Sequence, residues 1–210
     1  GFHGDLSQVQ EGPTQGSAFL RETRPQGRHY DYRVNGLSTA LWAQQQWYWD
    51  QGWQLDLGLR AEWLGYDYNN RLAAGNLRDD GTACGFGGCL YSRPEDRNDD
   101  FLTLAPSASV SAPFIGGSRW SFRYARAFRP PQATELYRLQ SGQTIADLNS
   151  ETLDGWSLGV SDNGRISYEL TGFYQIKRDV ILRDAEGFNV SNGRTRHLGL
   201  EWSLAAAITS

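Results

Sequence analysis

Asp56, Arg60 and Glu62 fall at two- and four-residue steps in WQLDLGLRAEWLGYDY, the first place in the 210-residue chain where charged groups gather at regular spacing. Acid, base and cation on one short segment could do hydrolytic chemistry, but that chemistry needs a nucleophile and a histidine close by. His197 is the only plausible histidine, and it lies on a distant segment. No catalytic constellation forms, so an enzyme is not expected. The two cysteines, Cys84 and Cys89 in TACGFGGCLY, are too few for a metal site alone, and His3, His29 and His197 are remote in sequence. A disulfide closing a glycine-rich loop is the favoured state over free thiols or a partial zinc site, and it suits an exported location. No metal or other cofactor is expected.

The elements that position Asp56, Arg60 and Glu62 are strands. Between Trp53 and Trp63, alternate positions carry Trp53, Leu55, Leu57, Leu59, Ala61 and Trp63 against Gln54, Asp56, Gly58, Arg60 and Glu62. The preceding segment sorts Leu37, Thr39, Leu41, Ala43, Trp47 and Trp49 from Ser38, Gln44, Gln46 and Asp50, and only Asp50-Gln51-Gly52 separates the two. The same alternation returns around Trp120, Trp156, Ile166 to Ile176 and Leu198 to Leu204, and more weakly from Phe101 to Val110. It predicts seven strands from Leu37 onward and an eighth near the N-terminus. On their polar faces stand Arg123, Glu169, Lys177, His197 and Glu201.

Composition decides what such strands face. Aromatic residues make up 13% and glycines number 24, yet mean hydropathy is only −0.57. Long alternating strands, about 9 to 11 residues for a bilayer crossing, suit a transmembrane β-barrel with a polar interior better than a soluble sandwich. Rings at segment ends, in WYW at 47–49 and at Trp53, Trp63, Tyr66 and Tyr68, are expected in interfacial belts. No apolar run approaches the roughly 20 residues of a membrane helix. The net charge of −4 argues against a nucleic-acid partner. Short connections at 50–52, 112–118 and 161–165 alternate with long ones at 71–98, 128–150 and 178–194. That pattern predicts short periplasmic turns and long extracellular loops, in which Tyr91, Arg93, Arg129, Tyr137 and Arg138 are candidates for contact with a ligand. The polar face, with Asp56, Arg60, Glu62, Arg123, Glu169, Lys177, His197 and Glu201, would line the lumen.

The ordered motifs resemble the late barrel of TonB-dependent outer-membrane receptors. SFRYARAFRPPQATELYR is similar to that family's aromatic-Arg-x-Pro turn and Glu-Leu-Tyr element, here Phe128, Arg129, Pro131, Glu135, Leu136 and Tyr137. Leu148, Asn149, Glu151 and Thr152 resemble its next segment, as do Gly58 with Arg60 and Gly199 with Glu201 on its strands. The resemblance implies an antiparallel barrel of about 22 strands with a plugged lumen, of which residues 1–210 supply seven or eight up-and-down strands. The plug domain and the aromatic C-terminal strand are not recognisable, so a mid-to-late fragment of the barrel is expected. It further implies import, in a Gram-negative outer membrane, of a scarce nutrient such as a ferric siderophore, cobalamin or a glycan. The partners would be outer-membrane lipid, that small-molecule or metal-chelate ligand, and the TonB complex acting through the plug, which the lumen-facing charges would contact. A passive porin-like channel or a surface-binding adhesin is the alternative. The proline pair in FRPPQATELYR marks where a strand leaves the membrane, with ATELYR as a short helical turn above it.

Overall fold

The computed structural model describes residues 2–10, 16–164 and 166–206. Eight strands form one antiparallel up-and-down sheet in the order β1 (Phe2–Gln10), β2 (Gly27–Tyr48), β3 (Gln54–Asn70), β5 (Arg97–Pro113), β6 (Arg119–Arg129), β8 (Glu151–Asn163), β9 (Ile166–Arg183) and β10 (Asn189–Ala206). A helix, α1 (Ala18–Thr23), precedes β2, and a second, α2 (Ala133–Tyr137), follows β6. Two short strands, β4 (Tyr91–Ser92) and β7 (Leu139–Gln140), pair with each other and so tie the loop after β3 to the loop after β6.

Through the middle of the sheet the register keeps the alternation in phase, and it shifts near the long-loop end, between Gln8 and Val9 and around Gly193. Leu55 faces Trp47 and Val110, Leu57 faces Ala108, and Phe122 faces Val110 and Leu158. Leu170 faces Val160 and Trp202, and Tyr174 faces Trp156 and Leu198. These side chains form one apolar face that is left uncovered, with Leu41 78% and Trp202 75% exposed. In water such a face would be costly, and a hydrocarbon surround removes that cost. The long strands, up to 22 residues in β2, leave length to project beyond the bilayer.

The connections divide by length as expected at one end. Trp49 to Trp53 closes a tight turn in which Gly52 adopts φ 77°, a conformation that favours glycine, and Gly52 N–H donates to the Trp49 carbonyl at 2.9 Å. A 3-10 turn, Ile115–Gly117, joins β5 to β6, and β8 ends at Asn163, three positions before β9 begins at Ile166. At the other end, the expected long loop at 178–194 is mostly strand. β9 continues to Arg183 and β10 resumes at Asn189. Lys177 to Arg183 lack a clean polar alternation because both faces are partly covered above the membrane, so periodicity was a poor guide there. For the same reason β2 begins at Gly27 rather than Leu37.

Candidate functional site

At the long-loop end the polar face is covered by packed tyrosines. Tyr30 and Tyr32 on β2 and Tyr66 and Tyr68 on β3 share even-numbered positions with Asp56, Arg60 and Glu62, so all point to the polar side. Tyr66 and Tyr68, expected in an interfacial belt, therefore lie away from lipid. Two-residue periodicity from Trp63 puts them on the opposite face, and the loops bury them.

α2 supplies much of the cover. Gln132 and Glu135 form a reciprocal capping box, with Gln132 N–H donating to Glu135 Oε2 at 2.7 Å. This short helix then drives Leu136 and Tyr137, 1% and 0% exposed, into the sheet. Tyr137 stacks on Tyr68, and its hydroxyl donates to Asp99 Oδ2 at 2.8 Å. Tyr30 donates to the Leu139 carbonyl at 3.0 Å and Tyr66 to the Pro131 carbonyl at 3.3 Å. Burial raises the Tyr137 phenol above its ordinary value, with the Asp99 hydrogen bond acting in the same direction. The sequence places ATELYR as a short helical turn above the membrane; the structure forms that turn as α2 and folds it inward, because its apolar side chains find a tyrosine wall there.

The loop after β3 is held in a different way. Arg93, 1% exposed, donates to the carbonyls of Ala73 at 2.8 Å, His29 at 2.9 Å, Leu77 at 2.7 Å and Arg78 at 3.2 Å. One guanidinium thus organises both arms of the loop around it. Tyr91 stacks on His29 with ring centroids 4.1 Å apart, and burial raises the Tyr91 phenol. Cys84 and Cys89 are joined by a disulfide in the same loop. Among the described residues no three His, Cys, Asp or Glu side chains gather as a metal site.

Of the five loop candidates, Tyr91, Arg93 and Tyr137 are thus enclosed by their own loops. Arg138 lies over the Tyr30 ring at 5.2 Å. Arg129 pairs with Glu135 at 3.0 Å and with Glu151 at 2.8 Å, and Lys177 reaches the same Glu151 oxygen at 2.8 Å. Glu151, buried at the loop end of β8, also accepts from Ile181 N–H at 2.9 Å. The tyrosine wall was legible in principle: Tyr-Asp-Tyr occurs at both 30–32 and 66–68, and the spacing of two in each copy aims both rings to one side. Glu151 carried no such pattern.

Below the wall, all eight charged residues named for the lumen share one face. Register steps from Asp56 through Ser109 to Arg123 and Ser157, and from Glu169 to Ser203 and Ser161, keep them together with Arg60, Glu62, Lys177, His197 and Glu201. Small residues such as Gly58, Ser107 and Thr171 leave a trough of about 490 Å³ beside Asp56, Arg123 and Glu169. Asp56 Oδ2 accepts from Gln54 at 3.0 Å and Ser109 at 3.1 Å. Its Oδ1 is buried without a hydrogen-bond partner among the described residues. Hydrogen-bonding capacity and charge are abundant along this face.

A continuous antiparallel sheet with one face for lipid and one polar face, capped by folded-in loops at one end, is the wall of an outer-membrane barrel. The chain belongs to the TonB-dependent receptor-like β-barrel family, whose sequence model matches residues 4–209. No curated protein matches the chain in sequence. Among solved structures, it is similar to the ferric-catecholate import receptor Fiu from K12 E. coli, with TM-score 0.61, 16% identity, and 88% of this chain and 27% of that chain covered. The Serratia marcescens hemophore receptor HasR, in complex with its hemophore HasA and heme, matches with TM-score 0.58 and 18% identity over 94% of this chain and 34% of its own. The copper transporter OprC matches with TM-score 0.60 and 14% identity over 88% and 29%. The chain spans about a third or less of the length of these proteins, and the likeness lies in the fold.

Proposed function

We propose that the receptor containing this barrel segment imports a scarce nutrient with energy delivered by TonB, and that its cargo is a metal chelate. The observation that carries this reading is the pairing of the two longest loops through Tyr91 and Gln140, which holds them folded over the polar face. A porin-like channel needs an open mouth, whereas a receptor needs a structured one that can hold cargo. Arg129 and Arg138, which keep more exposed surface than Tyr91, Arg93 and Tyr137, are the residues of this segment assigned to the cargo. Tyr91, Arg93 and Tyr137 shape the surface from below. The polar face with Asp56, Arg60, Glu62, Arg123, Glu169, Lys177, His197 and Glu201 meets the plug, and the unpartnered Asp56 Oδ1 is a natural acceptor for it.

Fiu is named for ferric catecholate, HasR was solved with heme and OprC is named for copper, which favours an iron, heme or copper cargo over cobalamin or a glycan. The test is growth of a strain lacking the gene on single sources of ferric chelate, heme, copper, cobalamin or glycan. A defect confined to one metal source is expected. A defect on a glycan alone would overturn the cargo class, and unimpaired growth on every source, with altered surface adhesion, would favour the adhesin reading.

A further inference from the structure

On the lipid-facing side of β6, β8, β9 and β10 the side-chain chemistry changes abruptly along the strands. The row Trp120, Val160, Leu170, Trp202 is apolar, and so is the next, Phe122, Leu158, Gly172, Leu200. Toward the long loops follows Tyr124, Trp156, Tyr174, Leu198, an aromatic row of the kind that marks a membrane boundary. The row above it reads Arg126, Asp154, Ile176, Arg196, and Arg178 stands one step higher beside Thr152. Three guanidinium groups therefore share this outer surface with one carboxylate, immediately outside the aromatic row.

That carboxylate is placed beneath the arginines. Asp154 Oδ1 accepts from the Tyr124 hydroxyl at 2.8 Å and Arg126 Nε at 2.7 Å, while Oδ2 accepts from Arg126 Nη2 at 3.1 Å and from Arg178 Nη1. The Asp154 side chain is 3% exposed, whereas those of Arg126 and Arg178 are 36% and 39% exposed. Asp154 thus holds Arg126 and Arg178 side by side with both partly exposed, and Arg196, in the same row as Arg126, is exposed. Guanidinium groups fixed in this way suit the oxygens of a phosphate. The cleft on the β5 side of Arg126 is lined by Asp99, Asp100, Asp147 and, from β9, Asp179, which directs an anion away from it, toward Arg196 on β10.

We propose that Arg126, Arg178 and Arg196 form a binding site on the outer wall of the barrel for the phosphate of a lipid in the outer leaflet. The site is independent of whatever cargo the receptor imports. The experiment uses the full-length receptor in detergent micelles, titrated with diphosphorylated lipid A, with the same lipid dephosphorylated, and with inorganic phosphate. Folding of each variant is checked by its heat-modifiable migration on a gel. Arg178→Gln and Arg196→Gln should each weaken binding of the phosphorylated lipid by about fivefold, the effect of one arginine at a membrane surface. The dephosphorylated lipid should bind weakly to every form. Equal binding of both lipids, or unchanged affinity in the two variants, would overturn the proposal. Binding of inorganic phosphate as strong as that of the lipid would show a site for the free ion and overturn it as well.

Discussion

Tyr137 lies stacked on Tyr68, ring centroids 4.1 Å apart and planes 22° from parallel, so a loop residue completes the wall of a strand. Removing the ring by Tyr137→Ala should cost about 3 kcal/mol of local stability, as for a buried aromatic. The segment 130–150 should then become sensitive to protease while the strands stay protected. Tyr137→Phe keeps the stack and loses only the hydrogen bond to Asp99, so about 1 kcal/mol is expected. Equal protease sensitivity in the two variants would count against the stack.

Alkaline pH should release the same loop. Burial raises the phenols of Tyr137 and Tyr91 above their ordinary value. A raised folded-state value means that the stabilisation is fully present below the unfolded value of about 10 and is lost as pH rises through the folded value. Measured relative to the intrinsic rate, hydrogen exchange in 130–150 should therefore be flat up to about pH 10 and accelerate above it. In Tyr137→Phe the acceleration should begin at higher pH.

Arg93 is the organiser of the loop at 71–96. Its four carbonyl acceptors cannot all be reached by an ammonium group. Arg93→Lys should lower the local stability of this loop by about 3 kcal/mol, read as faster hydrogen exchange at Gly75 and Leu77 with the Cys84–Cys89 disulfide intact. Unchanged exchange would show that β4 pairing alone holds the loop.

Neighbouring residues on β9 test which face meets lipid. Leu170 points to the apolar side and Thr171 to the polar side. In the full barrel, Leu170→Arg should cost about 2 to 4 kcal/mol, measured by reversible unfolding into lipid vesicles, and Thr171→Arg should cost far less. The opposite order would invert the wall.

Much of this wall was readable from alternation alone, because a bilayer outside and water inside impose opposite demands on adjacent residues. Leu55, Leu57 and Leu59 against Asp56 and Arg60 declare both faces at once. Above the membrane the rule reverses. At the start of β2, Tyr30, Tyr32 and Val34 are buried on the polar side by loops, whereas Arg33 and Asn35 point out to water. A reading tuned to lipid therefore missed the strand before Leu37, sent Tyr66 and Tyr68 to the wrong face and stretched the last loop to 178–194. The inward fold of ATELYR depends on partners more than 60 positions earlier in the chain, such as Tyr66 and Tyr68, and local pattern does not carry that.

Energised import is the central claim, and one measurement addresses it directly: uptake of the radiolabelled metal chelate that the growth test selects, by cells with and without TonB. Uptake that saturates and falls to background when TonB is deleted or the proton gradient is collapsed is the predicted result. Uptake that rises linearly with concentration and survives both treatments would contradict it and make the barrel a passive channel.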